Sequence, residues 1–274
     1  MTRVLETVDH LGRSITDNLR YTTQVLLMVY LALRAALFDR AQGFRQIINV
    51  ISSQVYFTGW QAMPLMTVLA LATGGILIMQ AMTNLSLIGG SQMIGNFLIV
   101  MVAREAGPLL VALVVIARSG TAVASEVGNM RANREIDALE SMGINPLSYI
   151  VFPRIIGGML SVLCLSFYFD LIAIVGGFFA TKFFHDLSWA FFADSVLRGF
   201  APEDGLIFLL KNGFSGMIIF VVSCYQGLQV KRSPHEVPQM TTQAVMNSII
   251  YVVLFNLVVT ALFYLKQLQN LGVI

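Results

Sequence analysis

The sequence predicts an all-α integral membrane protein with five transmembrane helices, preceded by an N-terminal amphipathic, interfacial helical segment. Of its 274 residues, 57% are hydrophobic and only 12% are charged, against about 25% charged in an ordinary soluble domain. A helix needs about 20 apolar residues to cross a hydrocarbon core of about 30 Å. Five runs reach that length, at roughly 61–81, 94–117, 155–180, 205–230 and 244–265.

The first 58 residues carry a different pattern. Residues 1–20 place apolar side chains at helical intervals between arginines, which predicts an amphipathic helix on a membrane surface. The run 24–38 is shorter than a span and contains Arg34, so we interpret it as an interfacial or elbow helix. We therefore divide the chain into an N-terminal segment of interfacial helices, 1–58, and a membrane domain, 59–274.

The distribution of Lys and Arg predicts the orientation, because cytoplasmic loops carry an excess of both. A cytoplasmic N-terminus puts the C-terminus in the periplasm and residues 125–146 in the cytoplasm. It leaves Lys182, Arg198, Lys211 and Lys266 on the far side. The cytoplasmic residues are then Arg3, Arg13, Arg20, Arg34, Arg40, Arg45, Arg131, Arg134, Arg154, Lys231 and Arg232.

Residues 125–146, SEVGNMRANREIDALESMGINP, form a compact charged stretch between two apolar runs. We predict one amphipathic helix, with Arg131 paired to Glu135 and Arg134 to Asp137 at helical spacing. Gly143 predicts a left-handed cap, and Asn145-Pro146 stops the helix. Two interpretations stay open, a solvated loop helix and a docking surface for a cytoplasmic partner.

Charged residues also occur inside the apolar runs. Arg104 and Glu105 lie about ten residues into the second run, which we place near mid-depth, with Asp170 in the third and Lys211 in the fourth. A charge in the bilayer needs a partner or a wet cavity, and neighbours on a helix point about 100° apart. Lys211 and Asp170 are therefore candidate partners. The cluster is either an ion-pair network between helices or a polar site in a cavity.

Other classes of function find less support. The formal charge of +2 and the scattered basic residues do not predict nucleic-acid binding. His235-Glu236 does not continue to HExxH, because residue 239 is Gln, and Ser119 has no intramembrane His as a base. We predict no metal site, and Cys164 and Cys224 as buried hydrophobes. An ion-coupled secondary transporter using the intramembrane charges is the alternative on physical grounds.

The run REAGPLLVALVVIARSGTAVASEVGNMRANREIDALESMGINPLSYIVFPR, residues 104–154, closely resembles the MlaE/YrbE-type permeases of ABC lipid transporters. The family pattern is roughly RElGP, then GRxGsAxxAElGtM, then eqidALxxMGxxP, then PR. The chain departs from it at Ala117, where Gly is commoner, and at 231–236, where KRSPHE replaces a glycine-rich loop.

The resemblance implies a permease subunit of the bacterial inner membrane that works as a homodimer beside a cytoplasmic ABC ATPase. The chain has no GxxxxGK[ST] motif, so ATP and Mg are expected in the ATPase, and this chain is expected to be neither an enzyme nor the holder of a cofactor. The resemblance also implies a periplasmic Mce-domain partner and a phospholipid or related lipid as substrate.

The resemblance further implies two sets of site residues. The helix predicted within residues 125–146 would be the coupling helix, the element of the permease that docks on the ATPase, with Glu126 and Arg118 bracing it. Its contacts with the ATPase would be Glu126, Met130, Arg131, Arg134, Glu135, Asp137, Leu139 and Glu140. A lipid cavity would be lined by one face of the first span together with three charged residues, namely Leu71, Gly75, Ile78, Met79, Met82, Arg104, Glu105 and Lys211. Arg118 and Asp170 are expected to be structural charges. Periodicity alone leaves helix packing open for the face of the first span.

Overall fold

The computed structural model describes residues 20–35, 44–87, 94–182, 188–231 and 233–270, and these residues form helices and connecting turns without a strand. The fold class predicted from the sequence is therefore confirmed. Residues 1–19 of the predicted amphipathic helix, 1–20, lie outside the described residues. The helices are α1 (residues 20–35), α2 (Phe44–Thr58), α3 (Met63–Leu87), α4 (Ile94–Leu98), α5 (Gly107–Val115), α6 (Thr121–Ala132), α7 (Glu135–Ser141), α8 (Phe152–Lys182), α9 (Trp189–Gly199), α10 (Pro202–Leu228) and α11 (Val237–Asn270).

Five helical segments of the described chain are long and apolar enough to cross a membrane, as the sequence predicts. We number them span 1 to span 5, in the order Ile47–Asn84, Gly95–Ala132, Leu147–Phe179, Glu203–Leu228 and Pro234–Gln269. Span 1 begins earlier than predicted, because a 3-10 turn at Trp60–Ala62 joins α2 to α3. Span 2 continues past its predicted end into α6. It contains two π-helical turns, at Ile99–Ala106 and Ile116–Gly120.

The spans alternate in direction. Gln54 in α2 packs beside Gly157 in α8, and Gly74 in α3 packs beside Ala173 further along α8, so spans 1 and 3 run parallel. Spans 3 and 4 run antiparallel, with Gly158 against Phe220 near one end and Ser166 bonded to Asn212 nearer the other. Alternation places α7 at one end of the bundle and α9 at the other, and we refer to these as the α7 end and the α9 end.

Helix α1 packs against spans 4 and 5. Met28 and Ala32 are buried, the hydroxyl groups of Thr22 and Tyr251 lie 2.8 Å apart, and the Tyr225 hydroxyl donates a hydrogen bond to the side-chain oxygen of Gln24 at 2.5 Å. The segment predicted to be an elbow or interfacial helix is thus a helix fixed to the bundle by both apolar and polar contacts.

Glycines bring α3 and α8 into backbone contact. A Cβ atom at Gly74 would overlap the carbonyl oxygen of Ala173, and one at Gly177 would lie 2.6 Å from the carbonyl carbon of Gly74. Small residues permit such approach between membrane helices, where packing replaces the hydrophobic effect as the driving force. The Gly176-Gly177 pair therefore allows α8 to pack closely against α3.

We predict that Gly74→Ala destabilises the protein by about 1–3 kcal/mol, because the added methyl group forces α3 away from α8. The measurement is thermal unfolding of the purified protein in mild detergent. The control is Gly205→Ala in α10, where an added Cβ has no neighbour within 4 Å. Equal melting temperatures for Gly74→Ala and the unmodified chain would contradict the packing described above.

Candidate functional site

A buried polar network joins spans 2, 4 and 5 towards the α9 end. Lys211 in α10 is only 1% exposed, and its ammonium donates hydrogen bonds to the backbone oxygen of Arg104 at 2.5 Å and to Glu105 Oε1 at 3.1 Å. The hydroxyl of Thr260 in α11 donates to both carboxylate oxygens of Glu105 at 3.2 Å. Glu105 therefore connects three spans, and the predicted pairing with Lys211 is present.

Arg104 points away from Glu105 and pairs with a different residue. Its Nη2 atom lies 2.5 Å from Asp204 Oδ1, and its guanidinium lies 5.1 Å from the ring centroid of Phe263. Asp204 is 4% exposed and also accepts a hydrogen bond from the backbone N–H of Ala201 at the start of α10. Asp204 is not among the residues predicted from the sequence, because an acidic residue in the first turn of a helix is common.

The network lies nearer the α9 end of span 2 than the α7 end, and its position near mid-depth in a bilayer stays a prediction. Arg104 is nine residues from Gly95 at the start of span 2, which is about 14 Å along a helix. Both charged residues fall within the π-helical turn Ile99–Ala106. Such turns widen a helix locally and occur often at functional sites.

Asp170 takes no part in this network, so its prediction as a partner of Arg104 or Glu105 is wrong. The residue is 8% exposed, and its Oδ1 atom has no hydrogen-bond partner in the described part of the chain. It faces the backbone of Gly107, where an added Cβ would overlap the carboxylate. Asp204 fills the position beside Arg104 because the α10 N-terminus reaches that level of the bundle.

The face of span 1 predicted to line a cavity is divided in this structure. Ile78 is fully buried beside Gly177, whereas Leu71 touches Gly176 in α8 but is 39% exposed. Gly75 is buried as well, whereas Met79 is 37% exposed and Met82 is half-buried. The cavity role of these residues stays a prediction.

At the α7 end the charged stretch forms two helices, so the prediction of one continuous helix over 125–146 is wrong. Helix α6 ends at Ala132, and Arg134 adopts a left-handed conformation with φ 61° before α7 begins. The predicted i,i+3 and i,i+4 pairs give way to an ion pair across the turn, with Arg131 Nη1 2.6 Å from Asp137 Oδ1. Gly143 has φ 74°, which confirms its predicted left-handed cap.

Helix α7 presents a charged outer face on an apolar base. Ile136 is buried, and Met130 and Leu139 are half-buried and pack against the core. The exposed residues include three predicted contacts and Met142, which is 65% exposed and was not predicted. These exposed residues are Arg134, Glu135, Glu140 and Met142.

The two residues predicted to brace the coupling helix hold other elements. Glu126 Oε1 lies 2.7 Å from Arg154 Nη2 at the start of α8. Arg118 donates hydrogen bonds to the backbone oxygen of Phe57 at 2.9 Å and to the side-chain oxygen of Gln61 at 3.0 Å. Arg118 therefore braces the junction of α2 and α3 rather than the charged stretch.

Five spans, a polar network among them and an exposed capped helix at one end define a multi-pass membrane protein of the permease class. Residues 51–262 match the family described as Permease MlaE. A probable ABC transporter permease protein of Rickettsia felis is 30% identical over 217 residues, which are 79% of this chain and 84% of that protein. The chain belongs to the MlaE permease family, and it is thus an ABC transporter permease.

More distant relatives cover the same region. The intermembrane phospholipid transport system permease protein MlaE of Haemophilus influenzae is 23% identical over 265 residues, or 95% of this chain and 98% of that protein. The chloroplastic protein trigalactosyldiacylglycerol 1 of Arabidopsis thaliana is 25% identical over 211 residues, or 77% of this chain and 60% of that protein. The resemblance first seen in residues 104–154 therefore extends over most of the chain.

We predict that Lys211→Met destabilises the protein by about 3 kcal/mol, because it leaves the Glu105 carboxylate without its cation among apolar helices. The double variant Lys211→Met, Glu105→Gln should recover most of that loss. Thermal unfolding in detergent measures both. If the loss of stability in the double variant equals the sum of the losses in Lys211→Met and Glu105→Gln, the ion pair does not couple spans 2 and 4.

Proposed function

We propose that this permease moves phospholipid, or a related lipid, between the inner membrane and a periplasmic Mce-domain partner. The observation that carries the proposal is the match of residues 51–262 to the MlaE family, one relative of which is named for intermembrane phospholipid transport. The apolar spans suit a substrate that stays within or beside the hydrocarbon region.

Energy for transport would come from a separate ABC ATPase that holds ATP and Mg, docked on α7. The geometry of α7 supports this assignment in two ways. The Arg131–Asp137 ion pair and the buried Ile136 fix α7 to the end of span 2, so a push on α7 is transmitted to a span. Its charged outer residues, Glu135 and Glu140 among them, remain available to a partner.

A homodimer would supply the lipid cavity. The most apolar stretch of span 5 is only 17% buried, against 56% for span 4, so the described residues leave much of this stretch of α11 uncovered. Leu257 on α11 and Val68 on α3 are each more than 60% exposed. Two copies facing each other through these helices would enclose lipid between them, with the Glu105–Lys211 pair at one end. The excess of Lys and Arg favours a cytoplasmic α7 end and a periplasmic α9 end.

The alternative is an ion-coupled secondary transporter that uses intramembrane charges. Asp170 is the residue that would serve it, because its buried carboxylate has an oxygen without a partner in the described chain. Co-purification of an ATPase separates this alternative from an ABC transporter.

We predict that Glu135→Arg together with Glu140→Arg lowers the amount of co-purified ATPase about tenfold, because the change reverses the charge of the exposed face of α7. The measurement is the ratio of ATPase to permease after affinity purification in mild detergent. The control is Asp194→Arg, an exposed acidic residue on α9 at the opposite end. An unchanged ratio in the α7 variant would refute docking at this helix.

We also predict that Lys211→Ala and Glu105→Ala each lower ATP-dependent transfer of phospholipid from proteoliposomes to an acceptor, together with the phospholipid bound after purification. The physical reason is that each removes a polar partner at the end of the proposed cavity. Arg198→Ala, an exposed residue on α9, is the control. Normal lipid content and normal transfer in both variants would rule out the cavity role, and no transfer by the unmodified complex would overturn the proposed function.

A further inference from the structure

A cavity lined by charged, polar and apolar side chains lies at the α7 end, far from the Glu105–Lys211 pair. It has a volume of about 420 Å³ and opens between α2, α6 and the first turn of α8. The side chains that matter for its chemistry are Asn49, Ser53, Phe57, Glu126 and Arg154. The proposed transport mechanism gives this cavity no role.

Arg154 supplies a buried cation beside the cavity. The residue is 8% exposed, and its Nη2 atom pairs with Glu126. Its Nη1 atom has no hydrogen-bond partner within the described residues. A guanidinium carries five N–H donors in a planar fork that matches the oxygens of a phosphate. Arg154 therefore lines the cavity with a buried donor group that has no partner among the described residues.

A charge of opposite sign also lines the cavity. The Glu126 side chain is 61% exposed and lines it, so its carboxylate can accept hydrogen bonds from a ligand as well as from Arg154. The cavity thus presents one cation and one exposed anion in a largely apolar lining, which complements a ligand that itself carries both charges.

The level of the cavity along the bundle matches that of lipid headgroups. Arg154 directly precedes the apolar run 155–180, so it marks the edge of the apolar zone on span 3. On the other side of α2, Tyr56 is 58% and Trp60 62% exposed, as is typical of aromatic residues at a membrane interface. A phosphate at this edge would remain attached to acyl chains in the adjoining hydrocarbon.

We infer that this cavity binds the headgroup of one amine-bearing zwitterionic phospholipid, with its phosphate on Arg154 and its ammonium on Glu126. A primary ammonium suits Glu126 because it can donate hydrogen bonds to a carboxylate. The inference rests on the proposed function, in which the cavity is the site where lipid from the leaflet at the α7 end first binds.

Two neighbouring serines on α2 provide a matched test. Ser53 lines this cavity, whereas Ser52 lines the separate groove between α2 and α8 that contains Cys164, and both are exposed. Ser53→Trp fills the cavity without changing a charge, and Ser52→Trp places the same bulk on the other side of the helix. The permease with its co-purified partners is transferred to phosphatidylethanolamine-containing detergent, and native mass spectrometry counts the bound lipid.

The expected result is that Ser53→Trp loses one phosphatidylethanolamine per permease chain, and that Ser52→Trp retains it. Glu126→Gln should keep a bound phospholipid but lower the preference for phosphatidylethanolamine over phosphatidylglycerol about tenfold. Equal lipid counts in the two tryptophan variants overturn the site, as does loss of a protein subunit from Ser53→Trp without loss of lipid.

Soluble competitors identify the source of the phosphate. Glycerophosphoethanolamine and inorganic phosphate should fail to displace the lipid at millimolar concentration, because neither has acyl chains. Displacement by inorganic phosphate would show a free-anion site and overturn the assignment to lipid. Transfer by the unmodified complex tells the two hypotheses apart. If the unmodified complex transfers phospholipid normally and the two tryptophan variants bind equal amounts of lipid, only this site is refuted. If Ser53→Trp loses its lipid but the unmodified complex transfers none, only the proposed function is refuted.

Discussion

The adjacent charges of Arg104 and Glu105 constrain how spans 2, 4 and 5 can pack. A charge among apolar helices costs several kcal/mol unless it is paired, and adjacent side chains on a helix point about 100° apart. The two residues therefore require separate partners, which are Asp204 and Lys211 on α10. Because those partners lie about two helical turns apart on one helix, both pairs form together only at one register of α10 against span 2. Thr260 adds α11 to the same arrangement.

Span 2 is the physical link between the two ends of the molecule. It is helical from Gly95 to Ala132, so about 40 Å of helix separate Arg104 from Arg131. At the far end the Arg131–Asp137 ion pair holds α7 to the same helix. A displacement of α7 would therefore reach the polar network through one element. The π-helical turns at Ile99–Ala106 and Ile116–Gly120 are the places where that helix departs from regular geometry.

Sequence patterns predicted the features that depend on local composition. Hydropathy gave five spans, and Gly143 was identified as a left-handed cap because few other residues adopt that conformation. The break at Asn133-Arg134 was not predictable, because neither residue is Gly or Pro and the stretch has good helical spacing. An ion pair across the turn, from Arg131 to Asp137, compensates for the left-handed Arg134. Arg118 likewise binds Phe57, which is distant in sequence, and no local rule pairs residues so far apart.

Only part of the face of span 1 that was predicted to line a lipid cavity is exposed. Ile78 is fully buried against Gly177 of α8, so the free side of α3 is the one that carries Val68, Leu71 and Met79. The most apolar stretch of helix α11 is also largely uncovered by the described residues. Any lipid held between two copies would touch these surfaces, whereas the cavity beside Arg154 opens between α2, α6 and α8 at the other end. A phospholipid that enters there would have to move along the bundle towards Glu105, and the structure provides charged groups for its headgroup at both ends of that route.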